Sequence, residues 1–178
     1  MKILCFGDSN TWGYDPRGYF GGQYEDPWPE LLARKLGCTV LNWGENGREI
    51  PGEGMAFPAD ADLLILMLGT NDLLQSKTPE ETCEKLEHFL ESLMPDRHRI
   101  LLIAPPPVTL GAWVRDQAMI AGSLALAEQY RALSERLGIR FADAGQWNTP
   151  LAYDGVHLTE EGHRAFALGL IEYLQKGE

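Results

Sequence analysis

Residues 1–12, MKILCFGDSNTW, decide the fold that this sequence predicts. An unbroken apolar run over residues 3–6 ends abruptly at Gly7, Asp8 and Ser9. Such a run is typical of a strand that is buried on both faces of a parallel sheet. Because open α/β sheets bind ligands beyond the carboxyl ends of their strands, Ser9 is a candidate nucleophile. Gly-Asp-Ser is also ordinary turn chemistry, so a strand-end turn or a helix cap is the alternative interpretation.

Strand patterns and helix patterns alternate along the rest of the chain. The predicted strands are residues 3–6, 39–43, 63–68, 99–104 and 139–142, and the predicted helices are residues 27–37, 78–94, 114–137 and 159–175. A Gly-rich aromatic loop, residues 11–22, follows the first strand. We predict an α/β fold, a flavodoxin-like three-layer α/β/α sandwich whose five-stranded parallel sheet has the strand order 2-1-3-4-5.

Length, composition and charge narrow the classes of protein further. The chain has 178 residues, which predicts one domain over residues 1–178. The net charge of −11 disfavours nucleic acid and anionic membranes as partners, because acidic surfaces repel phosphate groups. The first apolar run is too short for a signal peptide and no other run is long enough to span a bilayer, so the expected location is cytoplasmic. Three widely spaced cysteines predict neither a disulfide framework nor a metal site.

In the predicted strand order, the loops after the first three strands open side by side at one edge of the sheet. These loops carry Ser9, Gly47 and Asn71. The Asn71 amide can donate a hydrogen bond to an oxyanion, and Gly47 can bring a backbone N–H close to a ligand because it has no side chain. Taken separately, Asn71 is also explained as a helix cap or turn residue, and Gly47 as a loop glycine.

A serine hydroxyl needs a base to remove its proton and a carboxylate to orient that base. His157 is the best-placed of the four histidines, because it follows a loop and has Asp154 three residues before it. A tight turn at Gly155 can set the carboxylate against the imidazole. The alternative interpretation is that Asp154 and Gly155 only form a turn before the last helix.

Four blocks of the sequence together resemble the SGNH, or GDSL-type, esterase/lipase family. In order, they are FGDSNT at residues 6–11, NWGENGR at 42–48, GTND at 69–72 and DGVH at 154–157. The resemblance implies that Ser9 is the nucleophile, His157 its base and Asp154 the orienting carboxylate. It also implies an oxyanion hole formed by Ser9, Gly47 and Asn71, with neither a metal nor an organic cofactor.

Within the family, the chain is most similar to the arylesterase and acyltransferase branch, which acts on small esters. The start GDSNTWG at residues 7–13, the run LMLGTND at 66–72 and the prolines at 105–107 carry this similarity. Two residues depart from the family's pattern: Asn10, where leucine is common, and Glu49, where threonine or serine is usual. Oligomers are known in that branch, so a homo-oligomer is an expectation that comes from the resemblance alone.

The predicted activity is hydrolysis of short acyl groups from small carboxylic esters through an acyl-enzyme, with transfer to another alcohol as a further outcome. Short strand-end loops without a lid-sized insertion disfavour long-chain substrates. A carbohydrate O-acetylesterase of the same family is the alternative, and a non-catalytic flavodoxin-like ligand-binding domain is a weaker one. The candidate substrate-binding residues are Asp8, Trp12, Trp113 and Trp147, with Tyr14 on one of the same loops. Each tryptophan is equally explained as a plug of the sheet edge or as a subunit contact.

Overall fold

Seven strands are present in the computed structural model, which describes residues 1–18, 20–52 and 54–176. In chain order they are β1 (Lys2–Gly7), β2 (Tyr14–Asp15), β3 (Gly22–Gln23), β4 (Thr39–Gly44), β5 (Leu63–Met67), β6 (Ile100–Ala104) and β7 (Arg140–Asp143). Five of them form one parallel sheet in the order β4-β1-β5-β6-β7. Numbered within that sheet, the order is 2-1-3-4-5, so the predicted topology is confirmed.

Six α-helices connect and cover these strands in the described part of the chain. They are α1 (Ser9–Trp12), α2 (Trp28–Leu36), α3 (Thr70–Leu74), α4 (Pro79–Glu91), α5 (Gln117–Leu137) and α6 (Glu160–Lys176). The four longer helices are the predicted ones, and α4 begins at the predicted capping box of Thr78 and Glu81. Two boundaries differ by more than one residue: α5 starts at Gln117 because Asp116 caps it, and α4 ends at Glu91 before a 3₁₀ turn, Met94–Arg99.

Two hydrophobic clusters lie on opposite faces of the sheet, because side chains alternate along each strand. Leu4 and Leu64 belong to the cluster that includes α4 and α5 side chains. Ile3 directly precedes Leu4 and Ile65 directly follows Leu64, and both isoleucines belong to the cluster with α2 and α6 side chains. The helices therefore form two outer layers around the sheet, which is the predicted three-layer arrangement.

The short elements near the sheet edge are absent from the sequence prediction. The helices α1 and α3 and the antiparallel pair β2–β3 are too short to carry a periodic pattern of apolar residues. Tyr19 of the predicted aromatic loop and the last two residues of the predicted domain lie outside the described residues. Within the described ranges, none of the helices combines the length and the apolar character that crossing a bilayer requires.

Candidate active site

Ser9 lies just beyond the end of β1, where it begins the short helix α1. Asp8 caps this helix, since its carboxylate accepts the backbone N–H of Asn10 at 2.9 Å. The Ser9 residue is only 6% exposed, yet it lines an open cleft at the carboxyl edge of the sheet. The turn therefore holds a serine hydroxyl at the position where open α/β sheets bind their ligands.

Three side chains form one buried chain of hydrogen bonds below this cleft. The Ser9 hydroxyl and His157 Nε2 are 3.0 Å apart, and His157 Nδ1 and Asp154 Oδ2 are 2.7 Å apart. Asp154 is fully buried, and His157 is 3% exposed. A hydroxyl, an imidazole and a carboxylate in this order can move a proton from the hydroxyl to the ring.

A turn of the chain prepares the Asp154 carboxylate for this contact. Its second oxygen, Oδ1, accepts the backbone N–H groups of Val156 at 2.9 Å and His157 at 3.0 Å. Gly155 has a φ of +82°, and a Cβ there would lie 2.1 Å from the Thr109 carbonyl oxygen, so the turn requires glycine. Burial by itself raises the pKa of Asp154, but the hydrogen bonds from His157 and Val156 outweigh burial and hold that pKa below its ordinary value. The carboxylate is therefore ionised at neutral pH.

Two aromatic side chains contact the imidazole. The ring centroids of Tyr14 and Trp113 lie 4.6 Å and 4.9 Å from that of His157. Trp113 reaches this place because the loop after β6 is bonded to the Asp154 turn, with Trp113 N–H donating to the Asp154 carbonyl at 3.0 Å. The Trp113 side chain remains exposed on its other side. The two rings give the cleft apolar walls beside the imidazole.

Three hydrogen-bond donors border the same cleft. Gly47 has a φ of +76°, a backbone conformation that favours glycine, although a Cβ at this position would meet no atom within 4 Å. Among the described residues, no protein acceptor is bonded to the backbone N–H of Gly47 or of Ser9. Asn71 Nδ2 donates one hydrogen to the Arg48 carbonyl at 3.0 Å, which leaves its second hydrogen for another acceptor. These donors can stabilise an oxyanion that forms next to Ser9.

The segment after Gly47 is anchored by an ion-pair network. Glu49 bonds to Lys77 at 2.7 Å and to Lys85 at 3.0 Å, while Lys85 also bonds to Asp72 at 2.8 Å. The buried Asp72 carboxylate accepts the backbone N–H of Ile50 as well, at 3.0 Å. The hydrogen bond from Lys77, followed by that from Lys85, lowers the pKa of Glu49 to about 2. Glu49, one of the two departures from the family's pattern, thus ties this loop to α4 and to the turn that precedes it.

The cleft has a volume of about 350 Å³. The residues that line it are Ser9, Tyr14, Asn46, Gly47, Asn71, Trp113 and His157. All but one were singled out from the sequence. Asn46 was not singled out, although its position directly before Gly47 could have indicated that it lines the cleft. The cleft is small and combines aromatic walls with polar groups at its floor, which suits a compact substrate.

Three sequence candidates for substrate binding lie away from this cleft. The Trp147 ring is partly buried and packs on Phe166 of α6, at a centroid distance of 4.8 Å. Trp12 is half-buried at the end of α1 and is absent from the cleft lining. Asp8 is 2% exposed and points into the turn that it caps. Trp147 thus packs against the sheet-and-helix core, a position that neither the substrate-binding prediction nor its two alternatives described.

The buried Asp8 carboxyl has an unusual ionisation. Burial raises its pKa to about 6, although the Asn10 N–H and the charges of His157 and Arg48 act in the opposite direction. The Asp8 carboxyl, in the residue directly before Ser9, therefore gains a proton at mildly acidic pH. Its position indicates a role in the shape and charge of the Ser9 turn, since it does not reach the cleft.

The other histidines have different surroundings. His163 is buried, and its Nδ1 accepts the backbone N–H of Trp28 at 3.3 Å. Burial, with a smaller effect of the His157 charge, lowers the pKa of His163 to about 4, so this ring is neutral at pH 7. His88 is a solvent-exposed neighbour of Glu91 on α4. Among the described residues, no group of three or more His, Cys, Asp or Glu side chains is arranged to hold a metal ion.

The sequence model of one protein family matches residues 5–165, a range that contains Ser9, Gly47, Asn71, Asp154 and His157. Its description is the GDSL-like lipase/acylhydrolase family. The chain belongs to this family. Membership agrees with the order of the four sequence blocks and with the sheet that brings their ends together.

Similar structures cover nearly the whole of this GDSL-like chain. The aryl esterase of M. smegmatis aligns with a TM-score of 0.84 and 25% identity over 98% of both chains. A carbohydrate acetylesterase family member from Sinorhizobium meliloti aligns with a TM-score of 0.82 and 30% identity, over 98% of this chain and 97% of that one. The isoamyl acetate-hydrolyzing esterase 1 homolog of Mus musculus is 28% identical over 65% of this chain and 51% of its own. The chain thus spans about half the length of the curated relatives it matches.

Proposed function

We propose that this protein is a serine esterase that hydrolyses short acyl esters of small alcohols or phenols. The observation that carries the proposal is the hydrogen-bonded chain from Ser9 through His157 to Asp154, with its serine end open to a cleft. Family membership and the similarity to an aryl esterase and a carbohydrate acetylesterase support the same class of reaction. A non-catalytic ligand-binding domain has no need of this arrangement.

In the first half of the proposed reaction, His157 Nε2 takes the proton of the Ser9 hydroxyl, and the Ser9 oxygen attacks the acyl carbon. The carbonyl oxygen becomes an oxyanion, which accepts hydrogen bonds from the backbone N–H groups of Ser9 and Gly47 and from the Asn71 amide. Asp154 stabilises the imidazolium that forms and holds the ring orientation. The ester C–O bond then breaks, and the leaving alkoxide receives the proton from His157.

The second half repeats these steps with water in place of the hydroxyl. His157 takes a proton from water, the hydroxide oxygen bonds to the acyl carbon, and the carboxylic acid leaves as Ser9 regains its proton. An alcohol bound in place of water would give a new ester, which is acyl transfer. Both outcomes use the same residues, so the balance between them depends on what occupies the cleft.

Labelling with a fluorophosphonate tests the nucleophile directly. We expect one equivalent of the reagent to bond to the Ser9 oxygen with loss of fluoride, because His157 activates that hydroxyl. Intact-protein and peptide mass spectrometry locate the adduct, and hydrolysis of p-nitrophenyl acetate is measured on the same sample. The variant Ser9→Ala serves as the unlabelled control. Full labelling at another residue, or full activity of the labelled protein, would contradict the proposal.

A series of p-nitrophenyl esters tests the length of the acyl group. We expect kcat/KM to be highest for acetate and to fall by at least about tenfold by octanoate, because a small cleft buries only part of a long chain. The rate of each ester in buffer alone is the control for intrinsic reactivity. A maximum at octanoate would reject the short-acyl part of the proposal and leave the serine mechanism in place.

A carbohydrate O-acetylesterase is the second candidate function. It is favoured by the relative from Sinorhizobium meliloti and by Trp113, a residue that is 53% exposed beside His157. An exposed aromatic face of this kind can stack on a sugar ring. The ratio of kcat/KM for acetylated xylose to that for p-nitrophenyl acetate separates the two candidates. Because Trp113 also contacts His157, a Trp113→Ala variant should lower both values, and it should lower the value for acetylated xylose more if the sugar binds there.

A further inference from the structure

Asn10 makes two buried hydrogen bonds that the proposed mechanism does not use. Its Nδ2 donates to the Val156 carbonyl at 3.0 Å, and its Oδ1 accepts the Leu158 backbone N–H at 2.8 Å. The residue is 4% exposed. Both partners are immediate neighbours of His157, about 150 positions further along the chain. The Asn10 side chain thus bonds to the backbone on both sides of His157.

This pattern imitates one rung of a parallel β-ladder. In such a ladder, one residue bonds to the carbonyl before and to the N–H after the residue that lies opposite it. Here the primary amide of Asn10 supplies the donor and the acceptor, and His157 is the residue that lies opposite. Because an amide is planar and short, it satisfies both groups only in one orientation of the 156–158 backbone.

The remaining backbone contacts of His157 come from its own loop. Its N–H donates to Asp154 Oδ1 at 3.0 Å, and its carbonyl accepts the Ala152 N–H at 2.7 Å. These contacts shape the loop but do not join it to the segment of Ser9. The Asn10 amide makes that connection one residue after the Ser9 hydroxyl, so it sets the distance between nucleophile and base.

We propose that Asn10 is a positioning residue, which holds His157 at hydrogen-bonding distance from Ser9 by bonding to the backbone on either side of it. Leucine, which is common at this position in the family, cannot make either bond. In this chain the polar backbone groups of Val156 and Leu158 depend on Asn10, since both are buried with it. The inference rests on the proposed serine esterase function.

Two variants, Asn10→Leu and Asn10→Ala, test this role. The first keeps the number and branching of the side-chain heavy atoms and the second removes all but Cβ, so a loss that both share is due to the hydrogen bonds. We expect kcat for p-nitrophenyl acetate to fall about ten- to a hundredfold, the range that a misplaced catalytic group gives, with KM within twofold of the wild type. Titration with a fluorophosphonate counts the active sites, so that unfolded protein does not lower the measured kcat.

Thr82→Val is the matched control, because Thr82 is fully buried on α4 and donates one hydrogen bond to the Thr78 carbonyl at 2.8 Å. We expect it to lower the melting temperature but to leave kcat per active site unchanged. If both Asn10 variants keep the wild-type kcat per active site, Asn10 has only a structural role and the inference is wrong. If instead the proposed serine esterase function is wrong, the wild-type protein will neither label at Ser9 nor hydrolyse the ester. The two failures are therefore distinguishable.

Discussion

Replacing Ser9 by alanine will lower kcat for p-nitrophenyl acetate by about a millionfold, the scale at which loss of an activated serine nucleophile acts in serine hydrolases. The hydroxyl is the atom that His157 Nε2 contacts at 3.0 Å, and no acyl-enzyme can form without it. The oxyanion donors and the cleft remain, so binding of the ester should change little. Stopped-flow and steady-state rates, corrected for hydrolysis in buffer, give the ratio.

The fold should survive this substitution, because among the described residues the Ser9 hydroxyl has one protein partner, at the edge of the cleft. Ser134→Ala is a suitable control: that serine is 1% exposed and its hydroxyl donates to the Tyr130 carbonyl at 2.7 Å. We expect the control to lose about 1 kcal/mol of stability and no activity. A Ser9→Ala protein that hydrolyses the ester at the wild-type rate would rule out the serine mechanism.

Much of the fold follows from patterns that are local in the sequence. The continuous apolar runs that form most of β1 and all of β5 are buried on both faces of the sheet, as such runs predict. The capping box at Thr78 begins α4, and Gly37 ends α2. Both boundaries follow from the hydrogen-bonding and backbone preferences of these residues. Once the alternation of strands and helices is recognised, the strand order brings the ends of β1, β4 and β5 together.

The features that sequence reasoning missed depend on contacts between distant segments. Asn10 bonds to residues that lie 146 and 148 positions away, and no periodicity or spacing marks such a pair. Trp12, Trp113 and Trp147 all lie on predicted strand-end loops, but only Trp113 lines the cleft. The difference arises from backbone bonds between the Trp113 loop and the Asp154 turn, whereas Trp147 packs against α6. Loop conformation, rather than residue type, decides which of these tryptophan rings faces the cleft.

Changing Asp154 to asparagine will lower kcat about ten-thousandfold while the loop keeps its shape. The amide oxygen can still accept the backbone N–H groups of Val156 and His157, which Asp154 Oδ1 accepts at 2.9 and 3.0 Å. The amide nitrogen would then face His157 Nδ1, where Asp154 Oδ2 now lies at 2.7 Å. Because an amide nitrogen only donates, it favours the tautomer whose proton is on Nε2, and that nitrogen can no longer accept the Ser9 proton.

Asp143→Asn provides the matched control for this effect. Asp143 is the last residue of β7 and, like Asp154, it accepts a backbone N–H, that of Gly145 at 2.9 Å, but it has no histidine partner among the described residues. The same chemical change there should leave kcat within twofold of the wild type. If Asp154→Asn kept more than about a tenth of the wild-type kcat, the carboxylate would serve the turn alone, since loss of its orienting role is worth several powers of ten. A large loss confined to Asp154 would instead assign the catalytic effect to its contact with the imidazole, because the turn bonds are retained in both variants.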